Sequence, residues 1–262
     1  MKVLFVSASD RIGGAAIGGY RLHKALQQAG IKSEMLVLRK VTADPSVHRL
    51  ALYLNRPARA RRRLGAMRHT RRLRDNPRRA ESGHWSLNQF GYPIAEVINA
   101  FGADIVHLNW IGDNYLPIGE VAKIGAPIVW TLQDMWALTG GCHYAGDCRA
   151  FQKDCGNCPQ LLARSAGDLS ARVLRDKRRA WSQLSLTAVA LSHWLADCAR
   201  ESALFRDKRI EVIGNPVDPK RYKPLDRAES RRAFNLPLEK KLILFGAVGG
   251  TTDRRKGFRY LQ

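Results

Sequence analysis

Short apolar runs recur along the chain, and most are followed by a stretch with helical spacing of its apolar positions. Residues 2–8 (KVLFVSA) read as a first strand. A glycine loop follows, then a helix over 15–30 with Leu22, Ala25 and Leu26 near helical spacing and Gly30 as its stop. Further strands are predicted at 33–38, 104–110, 127–132, 186–191 and 209–215, with helices at 92–102, 115–125, 168–184 and 192–202. Strands that are apolar throughout and alternate with helices form a parallel sheet covered on both faces. Right-handed crossovers then give an α/β, Rossmann-like doubly wound domain over residues 1–215. Three prolines interrupt the rhythm in NPVDPKRYKPLD, so 216–239 reads as an interdomain linker with a short helix in RAESRRAFNL. A new strand at 240–248 and the start of a helix in KGFRYLQ predict the opening of a second Rossmann-like domain over 240–262.

Composition narrows the class. Of 262 residues, 45% are hydrophobic and 26% charged, which fits a globular chain and excludes a disordered one. MKVLFVSASD lacks a small-residue cleavage site, and no uncharged apolar stretch approaches a membrane span, so the expected location is cytoplasmic. The net charge of +21 is concentrated in a basic insertion at 56–80. Its segment 56–79 is dominated by arginine and holds a single acid, Asp75. Such a run points to a polyanionic partner, whether an anionic membrane surface on the inner face, nucleic acid or an acidic substrate, or else to a solvated insertion. Leu64, Met67 and Leu73 are too sparse for a deep anchor, so contact would be electrostatic.

Candidate chemistry lies beyond the carboxyl ends of the strands, where doubly wound sheets bind ligands. Gly13 and Gly14 precede a helix N-terminus whose free N–H groups suit an anion or a sugar hydroxyl, or simply form a tight turn. The second strand ends without the acid that would hold a nicotinamide ribose. His107, Asn109 and Trp110 end one strand, and Gln133, Asp134 and Trp136 follow another. Hydrogen-bonding side chains beside an indole suit a sugar, whose C–H face stacks on aromatic rings. Four of the five cysteines, Cys142, Cys148, Cys155 and Cys158, fall in the loop 133–160. In a reducing compartment this cluster reads first as a structural zinc site, with His143 able to replace one cysteine. Two disulfides or free thiols are the alternatives. Cys198 reads as a core residue.

With these motifs in hand, the sequence resembles the GT-B glycosyltransferases of family 4, the group 1 sugar transferases of bacterial polysaccharide biosynthesis. The resemblance rests on GGAA, DIVHLNW, TLQDMWALTGGCHYAGDC…CGNCPQL, SHWLADCARES, EVIGNPVDPKRYKP and DRRKGFRYL. It implies retaining transfer from a nucleotide-sugar to a glycan or lipid-linked acceptor, without a catalytic metal. The N-terminal domain would take the acceptor and the C-terminal domain the donor. By position, Gly13 and Gly14 would lie near the donor, and Lys256 would meet its diphosphate with Arg255 beside it; Asp134 and Gln133 are the expected catalytic residues. Many relatives carry histidine where this chain has Gln133, and the strand that often continues into Gly-Arg reads FGAVGG. The family's donor-site acids would lie beyond residue 262, so the chain is expected to be inactive alone. A nucleic-acid-binding protein with a zinc module and an arginine-rich arm is a rival, as is a non-catalytic sugar- or lipid-binding module. The cysteine spacing fits no common finger and the arginine run lacks interleaved aromatics, which argues against nucleic acid.

Overall fold

The computed structural model describes residues 1–79, 83–247 and 249–262. The chain divides into two units, Met1–Pro216 and Val217–Gln262.

In the first unit the apolar runs become a seven-stranded sheet in the order β3-β2-β1-β4-β5-β6-β7. The strands are β1 Lys2–Ser9, β2 Lys32–Arg39, β3 Val47–Arg49, β4 Ile105–Leu108, β5 Ile128–Leu132, β6 Leu186–Ala190 and β7 Arg209–Val212. Every pairing is parallel. Central strands are buried on both faces, which is why they read as unbroken apolar runs. The chain winds outward from β1 through β2 to β3, then returns to β4 on the other side of β1. The reversal opens a crevice at the carboxyl ends of β1 and β4.

The helices are α1 Gly14–Gln28, α2 Arg56–Arg74, α3 Ile94–Ala100, α4 Ile118–Val121, α5 Leu169–Trp181 and α6 His193–Glu201. Three begin on side-chain caps: Asn55 for α2, Asp168 for α5 and Ser192 for α6. α4 has only four residues: Pro117, in extended conformation, is its N-cap, so Tyr115 and Leu116 lie before the helix. Trp130 on β5 meets Trp181, Phe205 and Trp136 with ring centres 5.1, 5.9 and 6.4 Å away. That aromatic cluster supports the loop that leaves β5.

Most of the basic insertion is a helix. α2 turns Ala58, Gly65 and His69 inward, and His69 Nε2 accepts from the Leu87 N–H at 3.2 Å. Its arginines at 56, 59, 61, 63, 68, 71 and 74 are exposed, as are Leu64 and Met67. The end of the insertion, residues 80–82, lies outside the described residues.

The second unit holds one helix, α7 Arg227–Ala233, capped by Asp226. Here the structure corrects two expectations. Residues 240–247 form no strand, and Ile243 and Leu244 are 83% and 96% exposed. Apolar character does not make a strand without a neighbour to receive its hydrogen bonds. In place of a terminal helix there are two single 3₁₀ turns, Arg254–Lys256 and Phe258–Tyr260. Position 248 lies outside the described residues.

Candidate functional site

The glycine loop after β1 leads straight into α1. Gly13 has φ 85°, a conformation that costs other residues strain, and α1 starts at Gly14 with no side-chain cap and no acid in its first turn. The space beside both Cα atoms is open. The first turn of α1 therefore has no side-chain acceptor at its N-terminus.

α1 sits very close to the sheet. A Cβ on Gly18 would stand 2.5 Å from Asn215 Oδ1, and one on Gly19 would stand 2.6 Å from Asn109 Nδ2. Asn109 Nδ2 donates to the Ala15 carbonyl at 2.8 Å and to Ser7 Oγ at 3.3 Å, while its Oδ1 accepts from Gln133 Nε2 at 2.8 Å. A polar relay thus joins the end of β5, the end of β4 and the first turn of α1. Gln133 is its partly exposed member. Sequence reasoning missed Gly18, Gly19, Asn215 and Asp10. The paired glycines inside a helix were a usable signal for the first three. Asp10 gave none: its carboxylate is buried and ties the end of β1 to the N–H groups of Val41 and Thr42.

Asp134 organises a second relay. Its Oδ2 accepts from Trp110 Nε1 at 2.9 Å and from His143 Nδ1 at 2.7 Å, and its Oδ1 accepts from the Trp136 N–H at 2.8 Å. His143 Nε2 lies 2.8 Å from Ser86 Oγ, which accepts from the Asp113 N–H at 2.9 Å. His143 is committed to this chain, so it is not a spare cysteine-loop ligand. Both carboxylate oxygens of Asp134 are likewise committed to positioning neighbours.

Two expected sugar contacts are corrected. Trp136 is buried, and its indole N–H donates to the Ser86 carbonyl at 2.7 Å. It anchors the loop and offers no face to a ligand. His107 is buried within the sheet, stacked on Phe5 at 4.4 Å and 2.8 Å from Thr131 Oγ1. Burial lowers its pKa to about 4, so it is a neutral core residue. Trp110, Asn109, Gln133 and Asp134 do converge, but the cavity they share with Trp136 and His143 measures about 10 Å³. That is room for one water at most, so a sugar would lie outside it, against Trp110 and Gln133.

The cysteine loop is stitched to the segment after the basic helix. Trp85 bridges to Cys142, and Trp85 Nε1 donates to Gln160 Oε1 at 2.8 Å. None of the four loop cysteines is in a disulfide, and they line one cavity of about 20 Å³. Burial pushes the thiols of Cys142 and Cys155 up to about 12. Among the described residues, no group of three or more His, Cys, Asp or Glu side chains is placed where it could hold a metal ion without rearrangement. In the second unit, Arg255 is clasped by Asp253 at 2.6 and 2.9 Å, and Lys256 is exposed.

The Glycosyltransferase Family 4 profile matches residues 12–221. WcaC of Escherichia coli (strain K12), provisionally named a colanic acid biosynthesis glycosyl transferase, is 25% identical over 123 residues, 44% of this chain and 30% of its own. A crystal structure of a glycosyltransferase from Rickettsia africae ESF-5 aligns with TM-score 0.42 and 13% identity, over 90% of this chain and 50% of that one. The chain therefore spans a half or less of the length of these relatives. The family match extends from the glycine loop across both relays and the cysteine loop, and on it the chain belongs to glycosyltransferase family 4.

Proposed function

We propose that this chain supplies the acceptor side of a nucleotide-sugar-dependent glycosyltransferase that builds a glycan or a lipid-linked saccharide. The carrying observation is the convergence of the open glycine turn at Gly13 and Gly14 with Asn109 and Gln133 at the carboxyl ends of adjacent strands. In this reading the first N–H groups of α1 meet negative charge on the donor. Gln133 and the exposed part of Trp110 hold the sugar, with Asn109 fixing the Gln133 amide. Asp134 acts as a positioning residue through Trp110 and His143. Transfer proceeds with retention, and Lys256, with Arg255, neutralises the departing diphosphate in place of a metal ion.

Incubating the chain with a panel of nucleotide-sugars and lipid or glycan acceptors tests this. No turnover is expected from these 262 residues alone, and turnover is expected once they are joined to a complete family-4 donor domain. In that joined protein Lys256→Ala should cost at least ~2 kcal/mol in transition-state stabilisation, read from kcat/KM. Robust transfer by the chain alone, or an unimpaired Lys256→Ala, would sink the assignment of these roles.

We further propose that α2 docks on anionic membrane. Its buried face is narrow, and its exposed face carries the arginines with Leu64 and Met67 among them. No described helix is long and apolar enough to cross a bilayer. The chain should sediment with phosphatidylglycerol vesicles and not with phosphatidylcholine vesicles, and release should follow rising salt as the Debye length shrinks below ~10 Å. Equal sedimentation with both lipids defeats the proposal, as does tighter binding to duplex DNA than to the anionic vesicles.

A further inference from the structure

We propose that Cys142, Cys148, Cys155 and Cys158 bind one zinc ion as a tetrathiolate centre that fixes the loop between β5 and α5. The inference is independent of the transfer reading, because a closed site with four protein ligands has no open position for catalysis.

The first argument is convergence. The four cysteines line one cavity of about 20 Å³, together with Thr139, Ser170, Ala145, Ala150 and Phe151. That volume holds one water-sized occupant, yet a water there would find few of the two to four polar partners it needs. A bare metal ion taken by four sulfurs suits the space. The sulfurs do not stand at metal-bond geometry, so binding would draw them inward.

The second argument is the backbone around the sulfurs. Cys155, Gly156 and Asn157 have φ of 55°, 87° and 46°. This run of left-handed residues folds CGNC back on itself and brings both of its cysteines to the same cavity.

Loading the site releases the four thiol protons to solvent.

The test uses the whole chain, purified under reducing conditions with no added metal. Elemental analysis should give one zinc per chain, and zinc-edge X-ray absorption should show four sulfurs at about 2.3 Å. Replacement of zinc by cobalt should produce the intense sulfur-to-metal bands of a tetrahedral four-sulfur site. Cys148→Ser should lose the stoichiometric zinc, whereas Cys198→Ser, outside the loop, should retain it. If Cys148→Ser does not fold, the wild-type absorption spectrum decides. Metal-free wild-type chain that stays metal-free after exposure to zinc overturns the proposal. So do loop cysteines recovered as disulfides, iron in place of zinc, or a shell containing nitrogen or oxygen.

Discussion

Asp134→Ala should destabilise the first unit by at least about 3 kcal/mol, although the residue lies in a loop. Its carboxylate accepts three hydrogen bonds, from Trp110 Nε1, the Trp136 N–H and His143 Nδ1. Alanine leaves all three donors facing a small, largely closed cavity. Each buried donor left unsatisfied costs on the order of 1–3 kcal/mol. His143 would also lose the partner that fixes its ring against Ser86. Asp134→Asn keeps an acceptor for the Trp136 N–H but turns an amide N–H₂ toward Trp110 or His143, so it should fall between wild type and alanine. Urea unfolding followed by tryptophan fluorescence measures the difference. A change below about 1 kcal/mol for Asp134→Ala would mean that water replaces the carboxylate without strain, and that the relay does not hold the loop.

The sheet was legible because strands buried on both faces carry a signal independent of their partners. Residues 2–8 and 127–132 announce themselves by unbroken apolar character, and they became β1 and β5. β3 was not legible: three residues are too few for any period. α2 was obscured by its charge, although arginine, alanine and leucine are good helix formers and Asn55 followed by Pro57 is a start signal. Residues 240–247 mislead in the opposite direction, since pairing is non-local and hydrophobicity alone does not supply it. Strand-end position groups Asn109, Gln133, Asp134 and Trp110, and the structure brings these four side by side. It could not distinguish a ring presented to solvent from one turned inward, so Trp136 and His107 were misplaced. The Asp134–His143–Ser86 chain was invisible because Ser86 lies 57 residues from its histidine.

Acidification from pH 7 to pH 4 should remove several kcal/mol of stability, before most carboxylates are protonated. His23 and His107 are both fully or nearly buried. Burial lowers His23 to about 4, only partly offset by Asp44, and lowers His107 to about 4 by burial alone. In the unfolded chain both return to about 6.5. Between pH 6.5 and 4 the unfolded state therefore binds more protons than the folded one, and stability must fall as pH falls through that window. Each such shift is worth on the order of 3 kcal/mol at its full extent, against a total of roughly 5–15 kcal/mol for a domain. His69, also lowered by burial, acts in the same direction. Asp10, Asp44 and Glu34 stay ionised longer than ordinary carboxylates: burial alone would raise them, but their hydrogen-bond and charge partners outweigh it. Their contribution begins to fall only near the unfolded carboxylate values, from about pH 5 downward, and most of it is lost below this window. Urea unfolding at pH 7, 6, 5 and 4.5 reads the slope directly. His107→Gln keeps a polar partner for Thr131 and has nothing to titrate, so its stability should start lower at pH 7 and decline less steeply. A flat profile in the wild type, or an unchanged slope in His107→Gln, would show that these rings are charged in the fold and that the sheet tolerates an imidazolium beside Phe5.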